Sequence, residues 1–391
     1  MSKKIAIISF FHSEASLCLA KYIAQQGVYT DFYFITDILK DNGIVPGFQY
    51  RNVKKHLGLT LLTSYNIPAI SNYTKSLPIQ FYLLRILSFS PKLFIINKIT
   101  LLYTIRKIKK RHYDAINIIG QHPLVEIIHN SLRTENIIHS FHEIGSHQEK
   151  KTTTSLLNRV IEDKSKVILH SKSTYERFIA IPNAKNVKSR VIPFGKFETL
   201  LLYEKKVPLN LSIDVSKITF LFYGFIQPYK GLDLLKESVK LLNEYKTQFN
   251  LIIAGAGIDS NLTYFSAQNN CLVINRFLSN NEIMALNRLS SMILLPYKSA
   301  SQSGIIPTSF MLGKPIIATK VGALGESIKN EVNGLLVSPN NPYEFSEAMK
   351  RIIQDSSLLK KLTAGALRFG SNDEFDWNNI AKETLHFFFT N

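Results

Sequence analysis

The sequence predicts an α/β protein made of two parallel-sheet domains, and three observations carry that prediction. Short apolar runs alternate with helix-period stretches along most of the chain, the pattern of a parallel sheet covered on both faces. A length of 391 residues is too great for one ordinary core and suits two. The alternation breaks at the polar stretch 203–217 ("YEKKVPLNLSIDVSK") and then begins again. Domains are therefore expected at 1–200 and 218–372, with a linker at 201–217 and a last helix at 373–391.

"KKIAIISFF" reads as a buried strand, and "SEASLCLAKYIAQQG" as a helix that Ser13 can cap and Gly27 stops. "VYTDFYFIT" is the next strand. The region from about 38 to 112 has no clear period. "YDAINIIG", "NIIHSFHE" and "SKVILHS" follow as strands, "KSTYERFIAIP" as a helix, and "NVKSRVIPFGKFE" as a strand running into a turn. The second series runs "ITFLFYGF", the helix "GLDLLKESVKLLNEY", "FNLIIAGAG", "CLVINRF", the helix "NNEIMALNRLS", "MILLPY", a loop, "PIIAT" and "NGLLVSP". Asn341-Pro342-Tyr343-Glu344 then opens a helix with a cap, a proline and an acid in its first turn. The tail "DEFDWNNIAKETLHFFF" reads as an apolar-rich helix. Two doubly wound, Rossmann-like domains facing across a cleft result, with ligands expected off the carboxyl ends of the strands.

Composition narrows the class. Cys18 and Cys271 form no disulfide or metal pattern, which points to reduced thiols and a cytoplasmic place. The basic opening lacks the long apolar run of a signal peptide. The net charge of +18 is uneven: residues 1–200 hold 28 Lys and Arg against 13 Asp and Glu, whereas 201–391 hold 19 against 16. Between 51 and 113 there are 12 basic residues and no acid. The stretch 81–112 interleaves large apolar residues with Arg85, Lys92, Lys98, Arg106, Lys107, Lys109, Lys110 and Arg111. It is too interrupted to span a bilayer but suits a helix lying on an anionic membrane. A core helix with a solvated basic face fits the same residues. No nucleic-acid-reading motif accompanies the charge, so nucleic acid is not an expected partner.

Candidate chemistry sits at the expected strand ends. Lys230-Gly231 precedes a helix, where an ammonium and free amides can converge on a phosphate; a solvated lysine in a turn is the plain alternative. Gly255 and Gly257 of "AGAG" permit a tight turn and close approach. Ser301, Gln302, Ser303 and Gly304 bring several amides to a helix start, an anion site by geometry, though Ser301 or Ser303 can equally cap that helix. Glu326 in "VGALGE" is either a helix-start acid or a substrate-facing acceptor group. In the first half, His142 and Glu143 end a strand as a possible acid–base pair or a structural one. His12 can reach the same end. His142 and His147 lack zinc-site company, and no metal is expected.

Together, "YGFIQPYKGLDLL", "LIIAGAG", "RFLSNNEI", "ILLPYKSASQSGIIPTSFMLGKPIIATKVGALGE" and "NGLLVSP", with "FHE" and "RVIPFGKFE" in the first half, resemble the retaining, GT-B-fold nucleotide-sugar glycosyltransferases of group 1, family 4. The likeness is nearly continuous from about 217 to 355 and fragmentary before that. It implies catalytic roles for His142, Glu143 and Lys230. It implies a donor site at Lys230, Gly255, Gly257, Gln302, Ser303, Gly304, Thr308 and Glu326, with His12 and Ser13 on the acceptor side. It further implies metal-independent transfer without a cofactor to a glycan or a lipid-diphosphate-linked acceptor in polysaccharide synthesis, on the inner face of the cytoplasmic membrane. Departures exist: Phe225 stands where a basic residue is usual, and the places of a usual glutamate pair fall near Ala300 and Thr308. A non-catalytic scaffold and a GT-B epimerase are the competing readings.

Overall fold

A computed structural model describes residues 3–10, 13–38, 57–64, 68–88, 90–133, 135–144, 151–203, 213–214, 216–371 and 373–390. The chain divides into two compact units, Met1–Leu202 with Asn372–Asn391, and Tyr203–Ser371.

The first unit runs β1 (Lys4–Ser9), α1 (Ser13–Gln25), β2 (Tyr29–Asp37), β3 (Gly58–Leu61), α2 (Pro68–Tyr73), β4 (Ile79–Ile86), α3 (Phe94–Lys109), β5 (Ala115–Ile119), α4 (Pro123–Leu132), β6 (Ile137–Phe141), α5 (Lys151–Glu162), β7 (Lys166–Leu169), α6 (Lys172–Ile179) and β8 (Ser189–Val191). Its sheet has the order β3-β4-β2-β1-β5-β6-β7-β8, parallel throughout except that β3 runs antiparallel to β4. Apolar residues alternate between the two faces. Ile5 and Ile7 of β1 look toward α1, whereas Ala6 and Ile8 join the side chains of α3, α4 and α5. Both faces are covered, which is why these strands read as unbroken apolar runs.

The second unit runs β9 (Ile218–Tyr223), α7 (Leu232–Leu241), β10 (Phe249–Ala254), α8 (Leu262–Ser266), β11 (Cys271–Ile274), α9 (Asn280–Leu289), β12 (Met292–Leu295), α10 (Ile305–Met311), β13 (Ile316–Thr319), α11 (Leu324–Ser327), β14 (Gly334–Val337), α12 (Pro342–Gln354) and α13 (Ser356–Arg368). Its parallel sheet has the order β11-β10-β9-β12-β13-β14. The order reverses about β9 and β12, whose carboxyl ends diverge at a switch point. Asn341 caps α12 by accepting the Glu344 amide at 3.1 Å.

A last helix, α14 (Trp377–Phe389), belongs to the first unit. Asp376 caps it, and Trp377, Ile380, Ala381, Phe387 and Phe388 complete the core beneath α1. The indole N–H of Trp377 donates to the Lys196 carbonyl at 2.7 Å. A Cβ at Gly195 would stand 2.7 Å from that indole nitrogen. The glycine of "RVIPFGKFE" is thus needed for the helix to dock. At the other end the Lys166 ammonium gathers the carbonyls of Phe388 and Thr390 at 2.9 and 2.8 Å.

The stretch 81–112 is not one interfacial helix. Its first six residues, 81–86, lie in β4, where Arg85 is only 1% exposed. Arg85 is therefore inside the unit rather than on a membrane-facing surface. Arg111 also turns inward, pairing with the buried Asp31 at 3.3 Å and lying 4.6 Å over the Tyr82 ring. Apolar alternation and strand pairing outweighed a single buried charge.

Candidate active site

In the second unit the site grows from the carboxyl ends of β9, β10 and β12. After β9 the backbone turns at Gly224, which has a left-handed φ of 108°. A Cβ there would lie 3.6 Å from the Lys230 ammonium and 3.5 Å from Ile305 of α10. Those are ordinary contacts, so glycine is needed at 224 for the left-handed turn rather than to make room for the lysine. Lys230 ends a short turn, Pro228–Lys230. Gly231 presses that turn on the exit of β12, since a Cβ would meet the Pro296 carbonyl at 1.9 Å. The Lys298 amide bonds the Tyr229 carbonyl at 2.8 Å and ties the two segments again.

Lys230 is 9% exposed. Its ammonium donates to the Tyr297 hydroxyl at 2.6 Å and lies 4.4 Å over that ring. Burial lowers its pKa, partly opposed by the nearby Tyr229 hydroxyl. No carboxylate neutralises it in this contact, so an arriving anion would find an undercompensated buried charge. The Tyr297 hydroxyl also hydrogen-bonds the Ser303 side chain. Burial holds that phenol in its neutral form, its pKa raised well above the ordinary tyrosine value.

Ser303 is thus committed to Tyr297, and α10 opens at Gly304 with no side-chain cap bond. The amides of Gln302, Ser303 and Gly304 donate to no main-chain carbonyl in the described residues, the ordinary state of amides at a helix start, and one in which an anion can take them. Pro307, third in the helix, sacrifices no intrahelical bond at that position. Thr308 is buried and its hydroxyl back-bonds the Gly304 carbonyl at 2.8 Å. Ala300 is buried, with its carbonyl packed on Gly322. Both places of the usual glutamate pair are therefore neutral and internal.

The "AGAG" glycines serve backbone packing. A Cβ on Gly255 would stand 1.9 Å from the Gly224 carbonyl, and one on Gly257 2.3 Å from the Ile226 carbonyl. Ile226 and Gly257 form a parallel bridge, and the Gly257 amide is taken by the Asn275 side chain at 3.1 Å. Glu326 lies half-buried on the four-residue α11. Phe225 is half-exposed and leans on Phe277, with ring centroids 5.9 Å apart. Sequence reasoning missed Tyr297; its signal was a tyrosine placed just after a buried strand and just before the small-residue loop.

In the first unit, His142 and Glu143 follow β6, both half-buried. The His142 ring lies 4.9 Å from His170 and 4.9 Å from Phe194, and His170 stacks on Phe194 at 3.8 Å. His170 bonds the Ile192 carbonyl through Nδ1 at 2.8 Å. Glu143 presents its carbonyl, not its carboxylate, to the Gln121 side chain. His170 and Phe194 also escaped the sequence reading, though both lie at strand ends beside quoted motifs. His12, the Ser13 side chain and His147 lie outside the described residues. Among the described residues, no three His, Cys, Asp or Glu side chains form a group able to hold a metal ion.

Residues 206–368 match the family model described as "Glycosyl transferases group 1". That match falls wholly within the second unit. An uncharacterised glycosyltransferase of Methanocaldococcus jannaschii is 28% identical over 236 residues, 57% of this chain and 60% of that protein. A D-inositol 3-phosphate glycosyltransferase of Salinispora tropica is 22% identical over 284 residues, 67% of this chain and 58% of that one. This chain thus spans about three fifths of the length of such curated relatives. Among solved structures, sucrose-phosphate synthase of Thermosynechococcus elongatus aligns with a TM-score of 0.67 at 18% identity, covering 98% of both chains. HepE of Anabaena, solved with UDP and glucose, aligns at 0.64 and 16% identity, again over 98% of both. These structural likenesses show a GT-B-like fold.

Proposed function

We propose that this protein is a retaining, metal-independent glycosyltransferase that moves a sugar from a nucleotide-diphosphate sugar to a glycan or lipid-linked saccharide, in the cytoplasm, during the making of a surface polysaccharide. The observation that supports it most is the Lys230 ammonium, buried without a carboxylate in its Tyr297 contact, beside a loop with three amides that donate to no main-chain carbonyl among the described residues. Names and contents of the relatives agree: the Salinispora enzyme is a glycosyltransferase and HepE holds UDP and glucose.

Sugar transfer releases a nucleoside diphosphate whose charge grows as the bond to the anomeric carbon breaks. Lys230 and the amides of Gln302, Ser303 and Gly304 would receive that charge, and one such donor contributes about 2.7–4 kcal/mol. Helix α10 has only seven residues, so its dipole adds little beyond these amides. Neutral Ala300 and Thr308 leave this loop without a carboxylate nucleophile. The acceptor oxygen then bonds the anomeric carbon from the face the diphosphate leaves, and a diphosphate oxygen takes the hydroxyl proton. His142 and Glu143 are assigned to holding the acceptor or the transferred sugar.

A non-catalytic scaffold is the second reading, favoured by those same neutral places. The deciding experiment is a thermal-shift series with UDP, GDP, CMP and their sugars, with and without EDTA. One nucleotide family at 100 times its dissociation constant is expected to stabilise by about 2.7 kcal/mol, unchanged by EDTA and lost in Lys230→Ala. No shift with any of them would sink the enzyme reading.

A further inference from the structure

We propose that the outer face of α3 is a docking surface for an anionic lipid bilayer. The helix is fixed in rotation by its inner face. Leu101, Thr104, Ile105 and Ile108 are buried there, and Asn97 accepts the Leu87 amide at 3.0 Å while donating to the Ser88 carbonyl. What remains outside is unusual for a soluble surface. Ile95 is 73% exposed, Ile99 64% and Tyr103 59%, with Phe94, Ile96 and Leu102 exposed around them. Apolar side chains scattered singly are ordinary, whereas several on one helix form a patch that marks a contact.

Polarity is arranged along the axis. Ile95, Ile99 and Tyr103 recur every four residues, and Arg106, Lys107, Lys109 and Lys110 continue the surface at the carboxyl end, with Lys98 at its side. The Lys107 ammonium lies 4.5 Å over the Tyr103 ring, where the apolar and cationic halves join. No acid occurs in the sequence from 51 to 113, and Arg106, Lys107, Lys109 and Lys110 are in none of the ion pairs found among the described residues. Both faces of the helix carry apolar residues, but only the outer one joins them to unpaired-sign charge.

One occupant matches both halves. A bilayer interface accepts isoleucine and tyrosine below the headgroups and attracts lysine and arginine to them. A second copy of the chain would set two cation rows against each other. Nucleic acid would meet the cations but leave the isoleucines in water. The inference stands apart from the donor-site reading, because binding is measured without turnover.

The test is co-sedimentation of the full chain with vesicles of phosphatidylcholine alone and of phosphatidylcholine containing phosphatidylglycerol. Binding to the anionic vesicles is expected, weakened as salt rises to about 0.15 M. Ile95→Ser with Ile99→Ser should lower the partition coefficient at least tenfold, and Lys107→Gln or Lys110→Gln about fivefold for each lost cation. All four positions are exposed, and an unchanged melting temperature certifies the fold. Equal binding to neutral and anionic vesicles, no binding, or variants that bind like the parent would each overturn the proposal. So would a lipid-free dimer, seen by sedimentation velocity, that Ile99→Ser dissociates. Loss of vesicle binding with an intact nucleotide-induced thermal shift would separate this surface from the donor site.

Discussion

The two sheets present different chemistry at their carboxyl edges. In the second unit the edge is made of backbone: Gly224, Gly231, Gly255 and Gly257 bring turns within contact distance, and one buried lysine supplies the charge. In the first unit the edge is made of rings, with His170 stacked on Phe194 and His142 tilted against both. A backbone-built edge fixes amides to within a fraction of an ångström and suits a ligand part that never changes, such as a diphosphate. A ring-built edge offers flat surfaces and adjustable donors, which suit a partner that differs from one protein to the next.

The sharpest way to break that comparison is Lys230→Ala. It should reduce kcat/KM for transfer by two to three orders of magnitude, matching about 2.7–4 kcal/mol, and should weaken UDP binding by calorimetry. A variant with ordinary turnover would show that the lysine is only a packing element. Acid comes next, because it strikes the units unequally. His139 in β6 is wholly buried, and burial, with His129 at 2.9 Å, pushes its pKa down to about 3. The unfolded chain would bind a proton there from its ordinary 6.5 downward. Stability is therefore full above pH 6.5 and lost as pH falls from there toward 3. Calorimetric scans should show the first unit melting earlier in acid, and His139→Leu should flatten that dependence.

Tyr297→Phe sharpens the second edge. Removing the hydroxyl frees Lys230 and Ser303 from their shared partner and should cost about 1–3 kcal/mol of UDP affinity, while Lys230→Arg should not restore it. In the parent protein, binding should weaken as pH rises, with a midpoint below the ordinary lysine value of 10.5, because burial lowers the Lys230 pKa; a midpoint above that value would contradict the burial. The smallest effect is expected from Asp376→Ala. Its carboxylate caps α14 through the Asn378 and Asn379 amides, and losing it should lower stability by about 1 kcal/mol, read in the melting of the first unit alone.

Much of the second unit could be read before any coordinates, for a physical reason. Its site uses glycine, proline and lysine at turns, and these residues mark backbone geometry in the sequence itself. Tyr297 was missed because an aromatic at the end of an apolar run reads as core. The first unit was harder. Arg85 looked like surface because charge is rarely buried, yet β4 needed a residue there and its neighbours hold it. The α3 patch was legible only as composition, since apolar residues on both faces blur the helical period that would have told inside from outside. His170 and Phe194 gain meaning only from the ring they share with His142, a contact between strands that spacing does not encode.

The first unit is interrupted in sequence, and this governs the order in which the chain takes shape as it is made. Residues 203–371 leave the ribosome before Trp377, Ile380, Phe387 and Phe388, which finish the core beneath α1. The second unit therefore completes its fold first, and the unit that begins the chain matures last, the reverse of the usual amino-terminal precedence. A chain ending at residue 371 should accordingly keep a nucleotide-competent second unit while its first unit becomes protease-sensitive.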